Sequence, residues 1–175
     1  MPEYFDRYIY KCDDVELLDA IQMSIDELDN IPDDIWEMHR NLIYAPGKWT
    51  IPDILQHLID AERIFSYRAL AFSRNESQRL PSFSENEYAL EAQGSHRTVS
   101  SLIEELKLVH QSTKTLFSSF TADMLSRKGL GFKGEYSVAS IGFLLPGHQR
   151  WHFETIREKY FPLMQSNRLK IPDNI

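Results

Sequence analysis

His148 and His152 stand four residues apart in the stretch Gly147 to Phe153, GHQRWHF, directly after Leu144, Leu145 and Pro146. On a helix that spacing is just over one turn, so both imidazoles lie on one face and can share an ion. Two ligands rarely hold a metal, and a third has to come from elsewhere in the chain. His57 is the candidate. On a helical wheel at 100° per residue, Ile54, Ala61 and Phe65 fall within roughly 80° of it, so His57 flanks an apolar stripe. Three neutral imidazoles bind a borderline divalent ion and leave a position open, where a water is drawn toward a pKa of about 7 or a thiol is held as thiolate. The plain alternative is that each histidine is a hydrogen-bonded core or surface residue, and spacing alone leaves both readings open.

The other histidines carry less. His110 lies on a stripe between Leu106 and Thr113, where a fourth ligand is one reading and a helix-face residue with its own hydrogen bond the better one. His39 and His96 have no supporting constellation. Trp49 and Trp151 lie near the candidate ligands in sequence and can wall a pocket or simply fill core. Arg68 shares the His57 face about three turns further on, where it either binds an anionic substrate group or is solvated or salt-bridged. No histidine has a Glu three residues before it, and neither HExxH nor GxSxG occurs, which argues against di-iron, zincin and serine-hydrolase chemistry. The lone Cys12 lacks a catalytic setting and fits a reducing cytosol.

The elements that must position these residues are helical. Asp13 to Glu16 reads as a capping box opening a helix from about Asp14 to Asn30. A connection through IPDDIWEMHRNLIYAPGKW holds at most one short turn. Thr50 caps a second helix reaching about Ser73, and a short helix is expected near Glu85 to Ala92. The stripe from Val99 to Phe120 marks a helix over Thr98 to Phe120, with one further turn after Thr121. The glycine-rich GLGFKGEYS suits a loop or small hairpin. A last helix from about Ser137 to Phe161 contains Pro146, where a kink is expected. The pattern is an all-α four-helix bundle with short accessory helices and that small hairpin before the last helix.

The bulk composition agrees. The chain has 175 residues, enough for a single domain, with 42% hydrophobic and 26% charged residues, and that is globular composition. Its 19 Lys plus Arg against 26 Asp plus Glu give a net charge of −7, which repels phosphate backbones and argues against nucleic acid as a partner. The N-terminus resembles no signal peptide and no apolar run reaches bilayer length, so a cytoplasmic protein without membrane contact is expected.

The ordered set Gly47-Lys48-Trp49-Thr50, His57 within ILQHLIDAERIFSYRAL, Leu80-Pro81-Ser82-Phe83 and GHQRWHF resembles the DinB-like family of metal-dependent enzymes, from about Asp14 to Tyr160. That family includes bacillithiol transferases, with mycothiol-dependent isomerases as more distant relatives, and many members without an assigned reaction. The resemblance implies one domain over residues 1–175, a bundle carrying a divalent metal on three histidines, one on the second helix and two on the last. Matched position by position, these are His57, His148 and His152. Zinc is the first expectation for the metal, with nickel, iron or manganese as alternatives, and a homodimer is implied as well. Trp151 stands where many members place a histidine next to the last ligand, so the pocket beside the ligands differs here.

Two function classes follow. The first is a metal-dependent enzyme acting on a small molecule, either a transferase using a low-molecular-weight thiol or a hydrolase. The second is a non-catalytic, metal- or ligand-binding stress-response bundle protein, which a fourth protein ligand such as His110 would favour by closing the site. A purely structural dimer would require the three histidines to lie far apart.

Overall fold

Apolar stripes at helical spacing must be buried against one another, and most of the chain does this as helix. The computed structural model describes residues 3–131 and 134–168. In chain order it contains α1 (Glu3–Ile9), α2 (Leu17–Leu28), α3 (Asp33–Met38), α4 (Ile51–Ser73), α5 (Glu85–Ala92), α6 (Val99–Ser118) and α7 (Ala122–Ser126). A hairpin of β1 (Lys128–Gly131) and β2 (Gly134–Ser137) follows, then α8 (Val138–Thr155), a π-helical turn (Ile156–Tyr160) and α9 (Phe161–Arg168). No helix among the described residues is long and apolar enough to cross a membrane.

Helices α2, α4, α6 and α8 form the four-helix bundle. Helix α4 packs against α6 and α8, and α2 packs against the same two, so α2 and α4 occupy opposite corners. The core has two ends. Ile51 and Leu55 of α4 share one cluster with Ile156 and Tyr160, whereas Phe65, Ala69 and Phe72 share the other with Tyr136, Val138 and Ile141. Helices α4 and α8 therefore run antiparallel, and the middle of each faces the middle of the other.

Local chemistry sets the helix starts. Thr50 and Asp53 form a complete capping box: the Thr50 side chain accepts from the Asp53 amide at 3.3 Å, and the Asp53 carboxylate accepts from the Thr50 amide at 3.1 Å. Thr98, Thr121 and Ser137 cap α6, α7 and α8 through their hydroxyls, and Ser84 caps α5, each satisfying an otherwise orphaned amide.

The expected capping box at Asp13 to Glu16 does not form. Helix α2 begins at Leu17 with Glu16 as its cap and no side-chain cap bond, because the Asp13 carboxylate pairs with Arg150 of α8 at 2.9 Å. The 31–49 connection holds a six-residue helix, α3, whose Trp36 is buried. The glycine-rich segment is a hairpin pairing Lys128 with Ser137 and Gly131 with Gly134. Pro146 lies inside α8, which continues as helix on both sides of it, and the widened turn comes ten residues later at Ile156–Tyr160. Such π-turns arise where an element absorbs one extra residue, often beside a functional site.

Helix α1 was not apparent from periodicity. It lies along α8 and brings Phe5 and Tyr8 against the second core cluster. Gly147 permits this approach: a Cβ at that position would lie 1.8 Å from the Tyr8 carbonyl oxygen. A glycine within a helix costs up to about 1 kcal/mol relative to alanine, and close backbone contact is the compensating reason for its presence.

Gly147→Ala should accordingly destabilise the protein, by the ~1–3 kcal/mol typical of overpacked sites, despite its better helix propensity. Urea unfolding checks the sign; a stability gain would show that α1 does not rest on α8 as described.

Candidate metal centre

The antiparallel register of α4 and α8 carries His57, on the second turn of α4, to the face of α8 that presents His148 and His152. All three side chains are buried, at 5%, 7% and 6% exposure respectively. Their rings meet edge to face, with centroids 5.0 Å apart for His57 and His148, 5.1 Å for His57 and His152, and 4.7 Å for His148 and His152. One ligand nitrogen from each lies within 4.8 Å of the others. His148 Nε2 stands 3.2 Å from His57 Nε2 and 3.1 Å from His152 Nε2.

Hydrogen bonding alone satisfies this arrangement poorly. A neutral imidazole nitrogen carries either a proton or a lone pair, so His148 Nε2 cannot serve two nitrogens pointed at it with equal success. A shared cation removes the conflict, since all three nitrogens then present lone pairs. The spacing suits one: a tetrahedral ion with bonds of about 2.0–2.1 Å separates its nitrogen ligands by about 3.3 Å. The rings are also held neutral. Burial pushes His57 down to about 4. Burial, followed by the neighbouring rings and Arg7, holds His148 well below the usual histidine range, and burial with His57 and Arg7 does the same for His152.

Aromatic rings enclose the cluster. Trp49 lies 4.7 Å from the His57 ring and stacks over His152 at 6.3 Å, while Trp151 stands perpendicular to His152 at 4.8 Å. Tyr160, on the π-turn, donates its hydroxyl to the Trp49 carbonyl, which ties the 31–49 connection to the last helix. From α1, Tyr8 packs edge-on to His148 at 4.9 Å. Arg7 lies over the Tyr8 and Trp151 rings at 4.7 and 5.3 Å.

Two cavities border the cluster. One, of about 320 Å³, touches all three histidines and is lined by Arg7, Lys48, Trp49, Trp151 and Thr155. The other, of about 280 Å³, touches His57 and His148 and runs past Phe65, Phe83 and Tyr136 to Arg68. Tyr8, His57, Glu85 and His148 border both. Of these residues, the sequence gives no direct sign of Arg7, Tyr8, Glu85, Tyr136 or Thr155, and Lys48 enters only within the motif Gly47 to Thr50. Gly147 was the available signal for the α1 pair, because a glycine between Pro146 and a candidate ligand marks a close backbone approach.

His110 is no fourth ligand; no other His, Cys, Asp or Glu joins the three among the described residues. Its Nδ1 is 2.6 Å from Glu62 Oε2 and its Nε2 is 2.6 Å from Gln149 Oε1. Gln149 in turn donates to the Ser24 carbonyl at 3.0 Å and to Glu27 at 3.1 Å, so its oxygen is the atom facing His110. Both ring nitrogens thus face acceptors, which suits an imidazolium. Burial lowers the His110 pKa, but the Glu62 charge and the bonds from Glu62 and Gln149 outweigh it and leave the group raised. Cys12 fits its structural reading: its thiol donates to the Phe143 carbonyl at 3.1 Å, and burial pushes it up to about 11, far from a nucleophilic thiolate. His39 Nδ1 sits 2.9 Å from the Ile35 carbonyl, and His96 is exposed. Neither approaches the cluster.

The His110–Glu62 pair generates a pH prediction. A raised folded-state pKa contributes stability that is complete below about pH 6.5 and is lost as pH rises through the folded value. Relative to the double variant Glu62→Met/His110→Leu, the wild type should lose stability between pH 6.5 and 9 in urea unfolding; parallel pH profiles would mean that His110 is neutral. His110→Leu alone leaves a buried carboxylate uncompensated and should cost about 3–5 kcal/mol.

Solved structures of similar shape exist at low sequence identity. YfiT from Bacillus subtilis, described as a probable metal-dependent hydrolase with an unusual four-helix bundle topology, is 16% identical. It superposes with a TM-score of 0.69 over 92% of this chain and 88% of its own. The mycothiol-dependent maleylpyruvate isomerase is 14% identical, with a TM-score of 0.60 over 79% of this chain; the match spans 60% of the isomerase. At these identities the likeness concerns the fold. No curated protein matches the sequence. The family model of the DinB superfamily matches residues 16–156, a span that takes in the four bundle helices and all three clustered histidines, and the chain belongs to that superfamily.

Proposed function

We propose that His57, His148 and His152 hold a divalent metal, zinc first, and that the protein is a metal-dependent transferase joining a low-molecular-weight thiol to a small electrophile. The observation that carries the reading is the convergence of two cavities on one buried cluster of neutral imidazoles. A transferase has to bring two substrates to one point, whereas a hydrolase needs room for one substrate and water. A divalent ion held by these three nitrogens would supply Lewis acidity, lowering the pKa of a thiol or water bound beside it.

The chain's own side chains divide the remaining work. Arg7 and Lys48 line the larger cavity and give it positive potential suited to an anionic thiol. Trp49, Trp151 and Tyr8 exclude water from the imidazoles and hold their planes. The aromatic walls of the smaller cavity, Phe65 and Phe83 among them, suit an apolar electrophile. In the overall reaction an S–C bond forms, the leaving group departs with its electron pair, and the thiol proton passes to solvent.

The hydrolase reading draws support from the description of YfiT and uses the same three histidines with water in place of the thiol. A non-catalytic metal-binding protein would be better served by a closed site, and His110, held by Glu62 and Gln149, does not close this one.

Elemental analysis of untagged protein should find close to one equivalent of metal per chain, with affinity lowered at least about tenfold in both His57→Ala and His148→Ala. Metal content unchanged by both substitutions would sink the metal assignment. Metal-loaded protein should conjugate glutathione, cysteine or a related thiol to an aryl halide, and lose that activity on chelation. Ester hydrolysis independent of any thiol would move the reading to hydrolase, and inertness toward both panels would move it to a binding protein.

A further inference from the structure

Arg68 is 4% exposed, yet it has no acidic partner among the described residues. Its Nη2 donates to the Pro81 carbonyl at 2.8 Å, and its guanidinium lies 4.8 Å from the Phe65 ring centroid. Tyr136 is near enough to act on its charge. Other arginines of this chain are treated differently: Arg150 pairs with Asp13 and Glu27, Arg97 and Arg63 with Glu105, and Arg127 with Asp123. Each of those is more exposed than Arg68. Arg74 also lacks a carboxylate but is exposed; Arg68, the most buried arginine among the described residues, has none, an arrangement that costs stability unless something else supplies the anion.

Its position says what that would be. Arg68 lines the cavity of about 280 Å³ whose other end is bordered by His57 and His148. Eleven residues along α4 separate Arg68 from His57, about 16 Å of axial rise, and helical side chains lean toward the N-terminus, so the guanidinium is drawn back toward the histidines. Phe65 covers one face of the guanidinium, and of its five N–H donors one is engaged by Pro81. All five N–H groups lie in the guanidinium plane, so four in-plane donors remain beside the Pro81 bond, enough to meet a carboxylate in two parallel hydrogen bonds. Phe5, Ala61, Phe65, Phe83 and Leu144 give the cavity apolar and aromatic walls, while Ser82, Ser84 and Glu85 add polar groups along one segment.

We propose that Arg68 is the anion anchor of the smaller cavity, and that the substrate lodged there is an apolar or aromatic carboxylate whose reacting carbon lies at the histidine end. The proposal rests on reading the histidine cluster as the reacting end of the site. It assigns the smaller cavity a monoanion with a hydrophobic body. Arg68 acts in binding and orientation, since the carboxylate fixed at one end determines which carbon meets the histidines at the other. The alternative role is structural, with Arg68 serving only to fasten the Pro81 segment to α4.

Chelator-treated, metal-free protein tests this, because no metal is then present to take up a carboxylate. Binding of 3-phenylpropionate, 4-phenylbutyrate and 5-phenylvalerate is compared with that of their neutral amides by calorimetry or ligand-observed NMR. At least one carboxylate should bind tenfold or more tightly than its amide, and Arg68→Met should reduce that ratio to within twofold. Arg68→Met should also leave metal uptake at the cluster unchanged. A fastening role would alter the unfolding midpoint of Arg68→Met but not the carboxylate-to-amide ratio. Equal binding of acids and amides to wild type, or a preference kept in Arg68→Met, overturns the proposal. If Arg68→Met does not fold, Ser82→Trp takes its place: Ser82 is an exposed residue lining the same cavity, and its bulk should weaken carboxylate binding at least fivefold. Unchanged binding in that variant overturns the location. Absence of metal uptake by wild type would remove the metal reading while leaving this preference intact, so the two fail separately.

Discussion

His57 meets His148 and His152 because α4 and α8 lie antiparallel, locked by Ile51 and Leu55 against Ile156 and Tyr160 at one end and by Phe65 and Ala69 against Val138 and Ile141 at the other. Apolar clusters on both sides of the histidines leave the helices little freedom to slide, since a shift of one turn would move about 5 Å of axis and unpair both clusters. The two Nε2 contacts of His148 follow from that register. They place three neutral bases in a site from which their own burial excludes protons. What surrounds the cluster consists largely of contacts that keep the rings in place: Tyr160 holding Trp49, α1 seated on Gly147, and Trp151 standing against His152.

Charge is distributed with equal economy around the bundle. Elsewhere in the bundle, the buried Glu62, His110 and Gln149 and the half-buried Glu27 form a chain of hydrogen bonds linking α4, α6, α8 and α2. Every bundle helix contributes to that chain, so it specifies their mutual register as well as adding stability. Positive charge on the cavity side is arranged otherwise. Arg7, Lys48 and Arg68 line the two chambers of a protein whose overall charge is −7.

Much of the fold is legible in the residue order. The helices α4, α5 and α6 begin and end within two residues of where periodicity and caps place them, because a Thr or Ser at the cap and an apolar stripe behind it are local instructions. Asp13 to Glu16 has the same local signature and fails, since Arg150, distant in sequence, competes for the Asp13 carboxylate. Helix α1 has too few residues for a stripe to register, and its place is decided by the groove that Gly147 opens on α8. The π-turn at Ile156–Tyr160 likewise has no local signature; it carries the buried Tyr160, whose hydroxyl donates to the Trp49 carbonyl.

The sequence by itself determined which side chains could do chemistry and on which helical faces they lie: His148 and His152 one turn apart, His57 beside an apolar stripe, Arg68 on that same face. Spacing on one helix is a matter of a fixed rise and rotation per residue, so this much needs no partner element. Only the tertiary structure decided that the three imidazoles share one point, that His110 is engaged by Glu62 and Gln149 rather than joining them, and that Arg68 is buried beside a cavity without a carboxylate. Those are distances between helices, and they depend on how the apolar faces of different elements pack, a quantity to which each segment contributes and which none contains alone.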